Sequence, residues 1–80
     1  MKKITYVTGL LGFNLKNKRY GMVSYDGWIN KGFQCGDVLD VWLHGCWVRT
    51  SMESDGKDWY LFGTDPSGKQ MEWRAVRVAV

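Results

Sequence analysis

Apolar positions in this chain recur with a period of two, in short runs broken by Gly, Asn and Asp. Nowhere do they follow the i, i+3, i+4, i+7 spacing of a helix over a helical length. The pattern predicts strands at residues 3–8, 19–24, 38–43, 46–53, 59–63 and 71–78. Turn-forming clusters separate them at 14–18, Tyr25-Asp26-Gly27, His44-Gly45, 54–57 and 64–68. The chain therefore reads as all-β and, at 80 residues without linker or repeat, as one domain spanning 1–80.

The fragment "VWLHGCWV", residues 41 to 48, shows the alternation most clearly. With His44-Gly45 as a two-residue hairpin loop, Leu43 faces Cys46, Trp42 faces Trp47, Val41 faces Val48, Asp40 faces Arg49 and Leu39 faces Thr50. Directly opposed residues share a face. Leu39, Val41, Leu43, Cys46, Val48 and Thr50 are then the core face, and Trp42, Trp47, Asp40 and Arg49 the other. The Trp pair falls in the non-hydrogen-bonded site beside the turn, where opposed Cα atoms approach to about 4.5 Å and two indoles interlock. It either clamps the hairpin, at on the order of 0.2–1 kcal/mol, or offers an exposed platform to a partner.

So short a chain buries only a little over roughly 60% of its unfolded surface. Its twelve aromatic residues supply the bulk that such a small core needs. No apolar run approaches the roughly 18 residues of a membrane span, and no long apolar stretch follows Met1-Lys2-Lys3, which predicts a soluble cytoplasmic protein with no membrane partner. Cys35 and Cys46 are too few for a disulfide scaffold and are expected as buried thiols. The net charge of +3 is uneven: residues 1–31 carry +5 and residues 32–80 carry −2.

Residues 31–63 resemble SH3-like barrels in the order of their parts: Phe33, then Gly36-Asp37 opening a strand, Trp47 on the return arm of a hairpin, and an Asp55-Gly56 turn. This implies a single small SH3-like barrel of about five to six antiparallel strands. No ALYDY-like segment precedes Gly36-Asp37, so polyproline recognition is not carried over. The segments "KRYGM", "CGDVLDVWLHGCWVRTSME", "DWYLFG" and "WRAVRV" resemble a family of small proteins of unknown function from Gram-positive bacteria and their mobile elements. Cys46 stands where that family usually has a charged or polar residue, and Trp73 where a small one is more usual. The resemblance implies a phage, plasmid or conjugative-element context and brings no activity with it.

Catalytic chemistry has little to work with. His44, the lone histidine, sits at a turn tip; Cys35, His44 and Cys46 fall short of a four-ligand zinc set; Asp37 and Asp40, three apart on a strand, point to opposite faces. Neither Gly9-Leu10-Leu11-Gly12 nor Asp55-Gly56-Lys57-Asp58 leads a helix as a phosphate loop does. No enzyme activity, cofactor or metal is expected.

Two binding modes fit the residues. A protein partner suits Trp42, Trp47 and Arg49 with Asp40, because Trp and Arg are the commonest interface hot spots. Residues 35–60 sum to −3, a poor setting for phosphates. In the mobile-element context that partner belongs to host nucleic-acid or defence machinery, and an anti-CRISPR-like inhibitor is one form of it. The alternative is single-stranded nucleic acid, with Lys16, Lys18, Arg19 and Lys31 on phosphates and Tyr20, Tyr25 or Trp28 stacking on bases. Residues 75–80 either finish the barrel or pair with a second copy, so the oligomeric state stays open.

Overall fold

The computed structural model describes residues 3–80; Lys2, counted in the N-terminal charge, and Met1 lie outside them. The strands are β1 (Tyr6–Asn14), β2 (Arg19–Ser24), β3 (Gly27–Asn30), β4 (Val38–Leu43), β5 (Cys46–Ser54), β6 (Trp59–Leu61) and β7 (Ala75–Ala79), with a 3-10 turn at Gly68–Met71. They form one antiparallel sheet in the order β3-β2-β1-β7-β4-β5-β6, curled into a half-barrel. The all-β expectation holds, but there are seven strands where five to six were expected.

The bounds of β2 and β4 are those the alternation predicts. The β4–β5 hairpin also keeps its predicted register, from Leu39↔Thr50 to Leu43↔Cys46. Both loop residues have positive φ, 52° at His44 and 84° at Gly45, the type I′ geometry whose twist matches the flanking strands.

Four elements depart from expectation, the least of them β6, which ends at Leu61 rather than at 63. β1 runs 6–14 instead of 3–8, because Gly9 and Gly12 lie inside it. At Gly9 a Cβ would stand 2.7 Å from the Val23 carbonyl oxygen and 2.8 Å from Met22 Cγ, so the glycine marks a close approach rather than a break. β3 was not predicted; it is four residues long and pairs with β2 through a bulge, the partners of Val23 and Met22 stepping from Trp28 to Asn30. The strand expected at 71–78 begins only at Ala75, since the 3-10 turn and Trp73, with φ 66°, carry the chain out of extended geometry first.

Inside the curl lie Leu11, Tyr20, Met22, Phe33, Leu39, Val41, Leu43, Met52, Leu61, Met71 and Val76. The curl brings β2 and the turn before it to β6 and the 3-10 turn: the Tyr20 hydroxyl donates to the Gly68 carbonyl at 2.8 Å, and Trp59 Nε1 donates to the Lys18 carbonyl at 3.1 Å. Of the predicted core face, Leu39, Val41, Leu43 and Thr50 are buried, Val48 is half-buried and Cys46 is exposed. On that last rung Leu43 stays in the core while Cys46, beside the turn, is exposed and its thiol donates to the Leu43 carbonyl at 3.5 Å. Cys35, in the loop before β4, is exposed too, so neither thiol is the buried group expected. No helix among the described residues is long and apolar enough to cross a membrane.

Candidate functional site

The strand registers align side chains into rows across the outer face of the sheet. Trp28 pairs with Val23, Val23 with Leu10, and Leu10 with Ala75. The β4–β7 register, Asp40↔Arg77, carried on by two residues sets Trp42 beside Ala75, and Trp42 pairs with Trp47. The result is one apolar row, Trp28–Val23–Leu10–Ala75–Trp42–Trp47, crossing six strands. Trp28, Leu10 and Trp42 are 39%, 42% and 45% exposed, unusual for large apolar side chains aligned in one row. Tyr25 and Trp73 join Leu10, Val23 and Ala75 in lining a groove of about 490 Å³ along it.

Beside it runs a polar row, Thr8–Arg77–Asp40–Arg49. Asp40 lies on the face opposite the core, as predicted, yet is only 5% exposed because two arginines cover it. Arg77 Nε donates to its Oδ2 at 2.9 Å and Arg49 Nε to its Oδ1 at 3.2 Å. Burial pushes the Asp40 pKa up, but the hydrogen bonds and charges of Arg77 and Arg49 outweigh it and hold the carboxyl below its ordinary 3.8. Arg77 also lies 3.8 Å from the Tyr6 ring centroid and 4.6 Å from that of Trp47, a cation–π sandwich.

Trp42 and Trp47 meet edge to face, with centroids 5.2 Å apart and an interplanar angle of 76°. Clamp and platform are therefore not exclusive: Trp47, half-buried, braces the hairpin against Arg77, while Trp42 stands at the surface. The charge of −3 over residues 35–60 is a sum along the chain and misdescribes the surface. In the polar row beside the Trp pair the single Asp40 lies between two arginines, Arg49 and Arg77, the latter arriving from β7, so that group carries an excess of one positive charge.

The N-terminal basic and aromatic candidates divide between two places. Trp28 joins the outer row and Tyr25, fully exposed, sits at the β2–β3 turn. Lys16 and Lys18 are exposed on the β1–β2 turn, and the Lys31 carbonyl accepts the side-chain amides of Asn14 and Asn17, which brings Lys31 beside them. Arg19 donates to the Phe33 carbonyl at 3.2 Å and lies 5.3 Å from the Trp59 ring centroid. Tyr20 is 4% exposed with its hydroxyl bound to Gly68, so it offers no stacking face.

Tyr6, Leu10, Val23, Trp73 and Arg77 belong to the outer surface and were not among the site residues expected from the sequence. Strand alternation puts Arg77 on the face opposite Val76 and Val78, but which strand it lies beside is a long-range fact. Among the described residues, no group of three or more His, Cys, Asp or Glu is placed to hold a metal ion.

Fold and surface together define a small all-β protein whose distinguishing feature is an aromatic and arginine-bearing outer sheet face. Residues 9–80 match the family described as domain of unknown function DUF5348, and the chain belongs to that family. No curated protein and no solved structure matches it.

Proposed function

We propose that the protein is a non-enzymatic binding module that docks another protein on the outer face of its sheet, with Trp42, Trp47, Arg49 and Arg77 at the centre. The apolar row carries this reading. Six strands at about 4.8 Å spacing give it a length of about 24 Å, the scale of one side of a standard protein interface. Arg49, two-thirds exposed, and Arg77 rim the row, so the complementary surface is an apolar strip edged by carboxylates. The SH3-like order of residues 31–63 suits such a role. In a mobile-element setting the partner is a protein of host nucleic-acid or defence machinery, and binding would inhibit or recruit it.

The test is affinity capture from a host lysate, followed by titration of the purified captured protein against wild type, Trp42→Ala, Arg49→Glu and Lys16→Glu. Trp42→Ala and Arg49→Glu should each weaken binding about tenfold, as loss of a hot spot does. Lys16→Glu, far from the row, should bind like wild type. Unchanged affinity in both outer-face variants would sink the reading.

A further inference from the structure

Where the curl brings the β1–β2 hairpin to β6, a cleft of about 360 Å³ opens between β1, β2, β6 and the 3-10 turn. That volume lies within the roughly 300–1,000 Å³ of small-molecule sites. Phe13 and Trp59 line it, with Lys18, Lys57 and Lys69 from three separate turns and the carboxylates of Asp58 and Glu72. The indole of Trp59 is held in place, its Nε1 bound to the Lys18 carbonyl and the Arg19 guanidinium over its ring. Tyr20 also lines the cleft, its hydroxyl fixed on the Gly68 carbonyl.

We propose that this cleft binds a nucleotide unit, with the base against Phe13 and Trp59 and the phosphate at the ammonium groups of Lys18, Lys57 and Lys69. Rigid aromatics beside lysines are the combination that holds a base and its phosphate together. Asp58 and Glu72, which would repel a bare anion, accept hydrogen bonds from an exocyclic amino group. They make the site prefer adenine or cytosine to thymine or uracil. The site is separate from the outer face, and only part of it falls in the basic N-terminal third: the curl brings Lys57 and Lys69 to Lys18. The unit can come from a free nucleotide or from a single strand, and the chemistry is common to both.

The experiment is a tryptophan-fluorescence titration of the full chain with AMP, UMP, oligo(dA), oligo(dT) and inorganic phosphate at low and moderate salt. It is run on wild type, the exposed double variant K57E/K69E and Trp42→Ala. An adenine-bearing probe should bind in a salt-sensitive way and resist displacement by inorganic phosphate. The double charge reversal should weaken it about tenfold, and Trp42→Ala should leave it unchanged, which separates this site from the protein-docking face. AMP binding as tightly as oligo(dA) assigns the site to free nucleotides; binding by the oligonucleotide alone assigns it to strands. The proposal is overturned if no adenine-bearing probe binds at low salt, if phosphate alone competes as well, if thymine-bearing probes bind equally, or if K57E/K69E binds like wild type.

Discussion

Arg77 reaches across from β7 to donate its Nε to Asp40 Oδ2 at 2.9 Å, while its guanidinium lies between the rings of Tyr6 and Trp47. One side chain thus ties β1, β4, β5 and β7 on the outer face, opposite the apolar core. Removing Asp40 leaves a largely enclosed guanidinium without its acceptor. Asp40→Ala should cost on the order of 3 kcal/mol, a Tm fall of more than about 10 °C in a domain this size. Arg49→Ala, whose side chain is two-thirds exposed, should lower Tm far less, because solvent screens an exposed ion pair. Thermal unfolding of both variants checks the contrast.

Acid stability follows from the same carboxylate. The folded pKa of Asp40 is depressed, so its contribution is complete above about pH 4 and is lost as pH falls through the folded value. Asp55 shifts in the same direction, because the backbone N–H groups of Asp58 and Lys57 bind its carboxylate. Urea midpoints should therefore hold steady from neutral pH to about pH 4 and drop below it. Asp40→Asn should lower the plateau and flatten the drop.

Gly12 and Gly21 face each other across β1 and β2, and the six-membered ring of Trp28 lies over the pair. A Cβ on Gly21 would run into the Asn30 carbonyl oxygen and come 3.1 Å from Trp28 Cζ3. The first of these is backbone and cannot move aside alone. Gly21→Ala should cost about 2–3 kcal/mol, at the upper end for overpacking, and detach β3, read as faster hydrogen exchange across residues 27–30.

Trp73 combines 65% exposure with a φ of 66°, a left-handed conformation that a bulky residue adopts at a cost of roughly 1–2 kcal/mol. Its backbone N–H is committed to the Leu11 carbonyl at 2.8 Å, so the strain is held in place. Trp73→Gly should keep or raise Tm by a few degrees while removing one wall of the groove beside Leu10. A marked loss of stability would show that the indole packs more than its exposure indicates.

Both thiols should react with a thiol-directed reagent in the native state at rates close to those in urea, since Cys35 and Cys46 are exposed. Strong protection of Cys46 would restore the inward placement that the alternation suggested.

What the sequence determined was local. A period of two made the chain all-β, and positive-φ residues at His44 and Gly45 set the hairpin loop. That loop in turn set the register that opposes Trp42 to Trp47 and Asp40 to Arg49, because a two-residue turn leaves one in-register pairing. Hence half of the candidate surface was legible from residues 40–49 alone.

The rest depended on which strands lie side by side. Nothing in residues 75–79 says that β7 sits between β1 and β4, yet that placement brings Arg77 to Asp40 and Tyr6, and sets Ala75 in line with Leu10 and Trp42. The curl of the sheet similarly carries Lys57, Trp59 and Lys69 to Lys18, 39 to 51 residues away in the chain. Alternation tells each side chain which face it takes, through a backbone geometry that is local. Its neighbours on that face come from strand order, which is decided by packing between segments far apart in sequence.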